Sequence, residues 1–572
     1  MKRLLCLLGI LSISAVLAAA QTVLPIRNSA ESDPFKLKPG SSFSASSSTP
    51  QKHINRTTEE TERAKTVSDF SEALDIIRQN YAGGQTDVNN LTKSSIQGAL
   101  RSLDPHSNYF DPSEYQALLE EQQSEYSGIG ATIVNFEKDG ILDTFVLATT
   151  PGSPAQKAGL RFGDRIISVD GDWVGGESSD VVRDKVRGDN GSTVRLIVER
   201  SLTMRRDLIP IKRSLVAEPS VPDYYILRPG VGYIDLTEGF NYTTADEVGT
   251  ALKALHRQGM TSLVLDLRGN PGGILEQAIK VAEKFLPAGS VIVSQRGRTR
   301  IDSRVWKSAN NSPETIPVVL LVDDGTASAS EVVAGALQDY DRAYIIGERT
   351  FGKGLVQDVI NLPFGSGLTL TAARYYTPSG RCIQRDYSNG DIYDYFRHRY
   401  EMSDAEKAKF EARTVTNRKV FGGDGIMPDE ISKDPEMNAT EVALLDPLFF
   451  FSVDLINGRV KGFESYKIDP NPANAKAFNT GDFAAPDALV DAFRSYAVKA
   501  YPRRISEKMV NLEAQFVKLR LRYNLVTAAL GSVPAEQILI QDDAQVAKAV
   551  DDLPRAQQLA IAALRARLER KK

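Results

Sequence analysis

Apolar and polar positions along this chain fall into distinct regimes. Between Val231 and Ile346 short apolar runs recur: Val231-Gly232-Tyr233-Ile234-Asp235-Leu236, Ser262-Leu263-Val264-Leu265-Asp266-Leu267, Ile316-Pro317-Val318-Val319-Leu320-Leu321-Val322 and Ala343-Tyr344-Ile345-Ile346. Each has the length of a buried strand and is bounded by turn residues. Stretches with helical spacing lie between them, from Thr244 to Leu255, from Leu275 to Phe285, and from Glu331 onward. This strand–turn–helix order predicts an α/β core. Upstream, from Thr57 to about Leu118, Phe70, Ala73, Leu74, Ile77 and Tyr81 recur at intervals of three and four, which predicts a helix with one apolar face. Leu103-Asp104-Pro105-His106-Ser107 interrupts that pattern with turn chemistry. A strand-rich module opens near Tyr126, and from about Pro447 to Lys572 the pattern is mainly helical with a basic end.

The first residues change the compartment. Met1-Lys2-Arg3, an apolar run from Leu4 to Leu17, and Ala18-Ala19-Ala20-Gln21 form a secretory signal with cleavage after Ala20. The mature chain is then exported, periplasmic or extracellular, with no transmembrane segment. Residues 21–56, rich in Ser, Pro and Lys, read as a disordered linker. Cys6 leaves with the signal, so Cys382 stands alone and no internal disulfide forms. A net charge of −4 over 572 residues gives no basic field for nucleic acid. No His/Cys/carboxylate cluster has ligand spacing, so neither metal nor cofactor is expected.

Candidate chemistry centres on Asp323-Asp324-Gly325-Thr326-Ala327-Ser328-Ala329-Ser330-Glu331, a small-residue turn between a buried strand and a helix. Such a turn can expose a serine oxygen beside the unpaired N–H groups of a helix start. The simpler reading is that Ser328 or Ser330 merely caps the helix, and Ser330 sits where an N-cap would. A serine nucleophile needs a base. None of His53, His106, His256 and His398 lies on a suitable loop, and no Gly-x-Ser-x-Gly elbow exists. Lys353, between Gly352 and Gly354 and flanked by Phe351 and Leu355, is the alternative, since burial favours the neutral amine. Alternation along Leu355–Ile360 puts Gln357 on its face, able to orient the amine. Gly347 to Lys353 imitates a phosphate loop, but Gly354 and a strand follow where Ser/Thr and a helix are required. Ala329 N–H and the turn Asn270-Pro271-Gly272-Gly273 are candidate oxyanion donors, with Gly272 and Gly273 both open.

Two resemblances organise these residues. Pro151-Gly152-Ser153-Pro154-Ala155 and Ala158-Gly159-Leu160-Arg161-Phe162-Gly163-Asp164-Arg165-Ile166-Ile167-Ser168-Val169-Asp170-Gly171 resemble a PDZ domain. That implies capture of a ligand's terminal carboxylate by the loop Ser127-Gly128-Ile129-Gly130. Asp266-Leu267-Arg268-Gly269-Asn270-Pro271-Gly272-Gly273, Ser328-Ala329-Ser330-Glu331, Gly352-Lys353-Gly354-Leu355-Val356-Gln357, Arg374-Tyr375-Tyr376-Thr377-Pro378-Ser379-Gly380-Arg381 and Gly425-Ile426-Met427-Pro428-Asp429 are similar to the C-terminal processing peptidases. The resemblance implies a serine-type endopeptidase with Ser328 as nucleophile, Lys353 as base and Gln357 assisting. It also implies a crotonase-like ββα core, 216–430, preceded by an inserted PDZ domain, 121–215. A helical segment at 57–120 and a helical extension at 431–572 complete the expected organisation. Expected partners are protein or peptide substrates with a free, apolar C-terminus, and a second copy or an adaptor held by the C-terminal helices. The competing expectation is an inactive PDZ scaffold with a protease-like fold.

Overall fold

The computed structural model describes residues 56–570, apart from 84, 123, 139, 299–302, 389–394, 397–401 and 469–482. The expected signal, residues 1–20, and all but the last residue of the linker lie outside the described residues, as do His53 and His398. The described chain forms two compact units, one of 117–356 and 373–570, the other of 56–116 and 357–372.

The first unit opens with a six-stranded antiparallel sheet whose main path is β1 (Ala131–Lys138), β2 (Ile141–Thr149), β3 (Arg165–Val169), β4 (Thr193–Glu199) and β5 (Arg206–Lys212), with the short strand Asp172–Trp173 paired to β3. Alternation sends Val194, Leu196 and Val198 of β4 into a core with Val146, Ile166 and Val182, the last from helix α1 (Ser179–Val186). Strand β1 is an edge, and its Asn135 side chain reaches toward α1, donating to Glu177 O at 3.1 Å and accepting from Ser179 N–H.

A second sheet follows in the order β6 (Tyr224–Arg228), β7 (Val231–Asp235), β8 (Ser262–Asp266), β9 (Val318–Val322), β10 (Tyr344–Gly347) and β11 (Glu430–Ile431). All pairings after β6–β7 are parallel. Helices α2 (Thr244–Arg257), α3 (Leu275–Glu283) and α4 (Ala329–Asp339) connect these strands. Gly232 faces α2, where a Cβ would meet Met260 Sδ at 2.3 Å and Leu255 Cδ1 at 3.1 Å.

The opposite sheet face is covered from the far end of the chain. Tyr233, Val264, Val319, Leu321 and Ile346 pack with Val546 and Ala549 of α7 (Ala544–Asp551) and Leu553 and Ala556 of α8 (Leu553–Arg570). Burial on both faces explains why β9 is apolar at every position. Earlier in the tail, α5 (Ala439–Ile456) is apolar nearly all round and packs on α6 (Ala514–Leu530) and on the antiparallel sheet. Phe449 stacks on Phe136 of β1 with centroids 3.8 Å apart and meets Phe145 and Phe162 at 5.2 Å. Gly163 is obliged to be glycine here, because a Cβ would approach Val453 Cγ2 to 2.7 Å. Among the described residues no helix is long and apolar enough to cross a bilayer.

In the second unit, helices Arg56–Asn80 and Val88–Arg101 accompany the strand Asn108–Phe110, which pairs with Gly367–Thr369. The apolar stripe expected on the first helix is present in sequence, but Val67, Phe70, Ile77 and Tyr81 are exposed. Asp104 closes the Leu103–Ser107 turn by accepting N–H bonds from His106 and Ser107 at 2.8 and 2.7 Å.

Phe449 is 1% exposed and touches three aromatic rings of the antiparallel sheet. Phe449→Ala is expected to cost about 3–5 kcal/mol, read as a lower urea midpoint with the slope unchanged.

Candidate active site

Ser328 ends the turn after β9 and occupies the N-cap position of α4, with φ 56° and ψ −114°. The expectation that Ser330 is the cap is therefore corrected. Ser330 lies inside the helix, and its hydroxyl donates to Asn270 Oδ1 at 2.7 Å. A positive φ at a non-glycine residue carries strain that the surroundings must impose. Here Glu331, three residues on, accepts the Ser328 N–H on Oε2 at 2.8 Å. Asn270 fixes the other side, with its carbonyl accepting from Ala327 N–H at 2.9 Å.

Glu331 also holds the lysine loop. Its Oε2 accepts from Lys353 N–H at 2.8 Å, and its Oε1 accepts from Gly352 N–H at 2.8 Å and Thr350 Oγ1 at 2.6 Å. The backbones of Ser328 and Lys353 thus meet on one carboxylate oxygen. Glu331 is 0% exposed, and burial pushes its carboxyl upward while these four donors pull the other way. Thr350 is held in turn by Ile426, whose N–H donates to Thr350 Oγ1 at 2.7 Å. The sequence shows a Ser-x-x-Glu interval, the spacing of a capping box, but the three partners from 350–353 are what sequence reading missed.

Lys353 is 1% exposed, which excludes a solvated loop lysine. Its loop is irregular: Gly352 has φ +88° and a Cβ on Gly354 would lie 2.6 Å from Gln384 N. The strand begins only at Leu355, so strand alternation does not extend back to Lys353 and carries no information on which face it shares with Gln357. Gln357 is fully buried and belongs to the second compact unit.

The glycine turn adjoins Ser328. A Cβ on Gly272 (φ +98°) would meet Ala327 O at 2.7 Å, Ser328 Cβ at 2.8 Å and Ala329 N at 2.9 Å. Its own N–H donates to Asn270 Oδ1 at 2.9 Å. Gly273 (φ +134°) lies against Phe240, where a Cβ would come within 2.2 Å of the carbonyl oxygen. Ser328, Ala329, Gly272, Gly273 and the Lys353 loop are therefore gathered in one region of the first unit. The expected carboxylate loop is separate from them. Ser127 and Gly128 belong to a strand paired with Ser214–Ala217, and Ile129 and Gly130 turn from it into β1. Ser127 Oγ donates to Gly188 O at 2.6 Å, and Gly130 O accepts from Ser153 Oγ at 3.1 Å. Cys382 is half-buried with its thiol pushed up by burial.

Residues 230–393 match the model of peptidase family S41, and residues 145–200 match that of a PDZ domain. The carboxy-terminal-processing protease of Bartonella bacilliformis is 37% identical over 325 residues, 56% of this chain and 73% of that protein. The chain belongs to peptidase family S41. The carboxy-terminal processing protease CtpA of Bacillus subtilis is 34% identical over 362 residues, 61% of this chain and 74% of its own length. Among solved structures, the photosystem II D1 C-terminal processing protease is similar at 30% identity and a TM-score of 0.34, covering 64% of this chain and 92% of that one.

In this S41 chain the parallel strands also carry a titrating group. Asp235 ends β7 opposite Asp266 of β8. Burial pushes its carboxyl up to about 7, against hydrogen bonds from Thr237, and Asp266 pushes it further. The folded state then keeps a proton that the unfolded chain loses near 4, so stability falls as pH rises between about 4 and about 7. Asp235→Asn is expected to flatten the difference between melting temperatures measured at either side of that window. Glu331→Gln replaces an acceptor of four bonds by an amide that directs N–H groups at N–H donors. It is expected to destabilise the fold by about 2–4 kcal/mol, checked by chemical denaturation.

Proposed function

We propose that this chain is an exported serine endopeptidase of the C-terminal processing type, with a crotonase-like core and a Ser328/Lys353 dyad. The observation that carries the reading is the shared Glu331 carboxylate, which joins a strained Ser328 to the Lys353 loop. Lys353 acts as base only as the neutral amine, the form that burial favours. It takes the proton from Ser328 Oγ as the oxygen attacks the substrate carbonyl, and the family motif gives Gln357 an assisting role. The tetrahedral oxyanion is held by Ala329 N–H and by the glycine turn. The Gly272 N–H already donates to Asn270, which favours Gly273 as the second donor. Lysine returns the proton to the leaving amine. Water then attacks the acyl-serine, with Lys353 taking its proton, and Ser328 is regenerated.

Substrate arrives through the PDZ domain. A peptide adds as a strand to the edge of β1, beside α1, and its carboxylate meets the N–H groups of Ser127–Gly130. The substrate is a protein with a free, apolar C-terminus. The chain reaches it in the periplasm or outside the cell after loss of residues 1–20.

With mature protein and an unfolded substrate ending in apolar residues, wild type is expected to cut. Ser328→Ala and Lys353→Ala are expected to lower kcat at least a thousandfold, roughly the loss seen when a nucleophile or its base is removed. Amidation of the substrate's C-terminus is expected to slow cleavage. Binding without cleavage by wild type would instead support the inactive scaffold.

A further inference from the structure

We propose that Asp543 and Gln545, on the C-terminal helical tail, are positioning residues for the glycine turn, acting through Arg268. The proposal rests on the peptidase reading for the turn's role as oxyanion donor. Its structural content does not depend on that reading.

Arg268 is the second residue after β8 and opens the turn Gly269–Gly273. It is 1% exposed. Its Nε and Nη2 lie on the Asp266 carboxylate at 2.6–3.0 Å. Its Nη1 donates to Asp543 Oδ2 and to Gln545 Oε1, each at 2.7 Å. Burial disfavours the guanidinium charge, and the Asp266 and Asp543 carboxylates more than offset this. Asp266, two residues back at the end of β8, is held by the Tyr233 hydroxyl, which donates to its Oδ2 at 2.8 Å, so it anchors the Nε–Nη2 edge of the guanidinium to the strand end. The partners 275 and 277 residues away hold its Nη1 edge, so the guanidinium is fixed from both sides only when the tail is in place.

The backbone that Arg268 carries leads straight to Ser328. Gly269 N–H donates to Asp323 Oδ1 at 2.7 Å, at the start of the serine turn. Asn270 receives Ser330 Oγ and Ala327 N–H, and Gly272 abuts Ser328 Cβ. A buried guanidinium deprived of the Nη1 acceptors would have to turn toward water or a new partner. That movement is transmitted to the next residues of a tight turn.

The two tail residues also do structural work, because Asp543 caps α7 by accepting N–H bonds from Gln545 and Val546 at 2.8 and 3.0 Å. The variants separate these roles. Asp543→Ser keeps a capping oxygen and removes the carboxylate, Gln545→Met keeps the shape and removes both the acceptor and the Nε2 donor to Ser432 O, and Asp543→Asn keeps both a cap and an acceptor. In the full-length mature protein, amide hydrogen exchange of peptides covering 266–274 is expected to accelerate at least tenfold in Asp543→Ser and Gln545→Met, with Asp543→Asn closer to wild type. The same two variants are expected to lose roughly ten- to a hundredfold in kcat with KM nearly unchanged, the size of effect that follows from misplacing an oxyanion donor.

If melting temperature falls while exchange at 266–274 and kcat stay at wild-type values, the tail residues only hold the helix and the proposal is overturned. If exchange accelerates but even wild type shows no cleavage, the positioning role stands and the peptidase reading fails.

Discussion

The Glu331 carboxylate is the interaction on which the rest of the site depends. It is a carboxyl group with no exposure to water, and its burial is offset by the four donors that converge on it. Those donors come from the serine turn and from the loop that carries Lys353, so the hydrogen-bonding needs of one buried carboxyl group set the geometry between two loops. Strain at Ser328 is sustained by the same bond. Asn270 acts as a second clamp, tying the glycine turn to the serine turn through Ser330, Ala327 and Gly272.

Around this centre, the tail behaves as an interior element. Its early helices bury Phe449 against β1 and β2, and its last two helices close the second face of the parallel sheet. A packed path therefore runs from the PDZ domain through α5 and α6 toward α7 and α8. The charged and apolar alternation of the tail sequence reflects helices with an inner face as well as a solvated one. The outer end of α8 leaves Ile561, Leu564 and Leu568 exposed.

The family was legible because its motifs are local. Asp266–Gly273, Ser328–Glu331 and Gly352–Gln357 each keep their chemistry within a few residues, and the PDZ turn Gly163-Asp164 does the same. The unbroken apolar run Val318–Val322 was also readable as a buried strand, since no polar side chain interrupts it. What was hidden depends on pairs far apart in the chain. Nothing in the spacing of Asp543 announces a bond to Arg268, and no periodicity shows that Lys353 N–H and Ser328 N–H share an acceptor. The cap assignment failed for a related reason. Small residues on both sides of Ser328 leave several helix starts equally acceptable locally, and only the Glu331 bond selects one. The alternation argument for Lys353 and Gln357 failed because the ladder starts two residues too late to include the lysine.

The cover supplied by α7 and α8 also sets an order of events in biosynthesis. A chain that emerges from its amino end presents β6 to β10 long before residues 544–556 exist outside the ribosome. Until then Val264, Val319 and Leu321 face outward as an adhesive apolar surface, and Arg268 lacks two of its acceptors. Cover of this sheet face and the setting of the turn beside Ser328 therefore wait on arrival of the same segment. Such timing leaves the turn beside Ser328 unset until the helices that cover its sheet have been made.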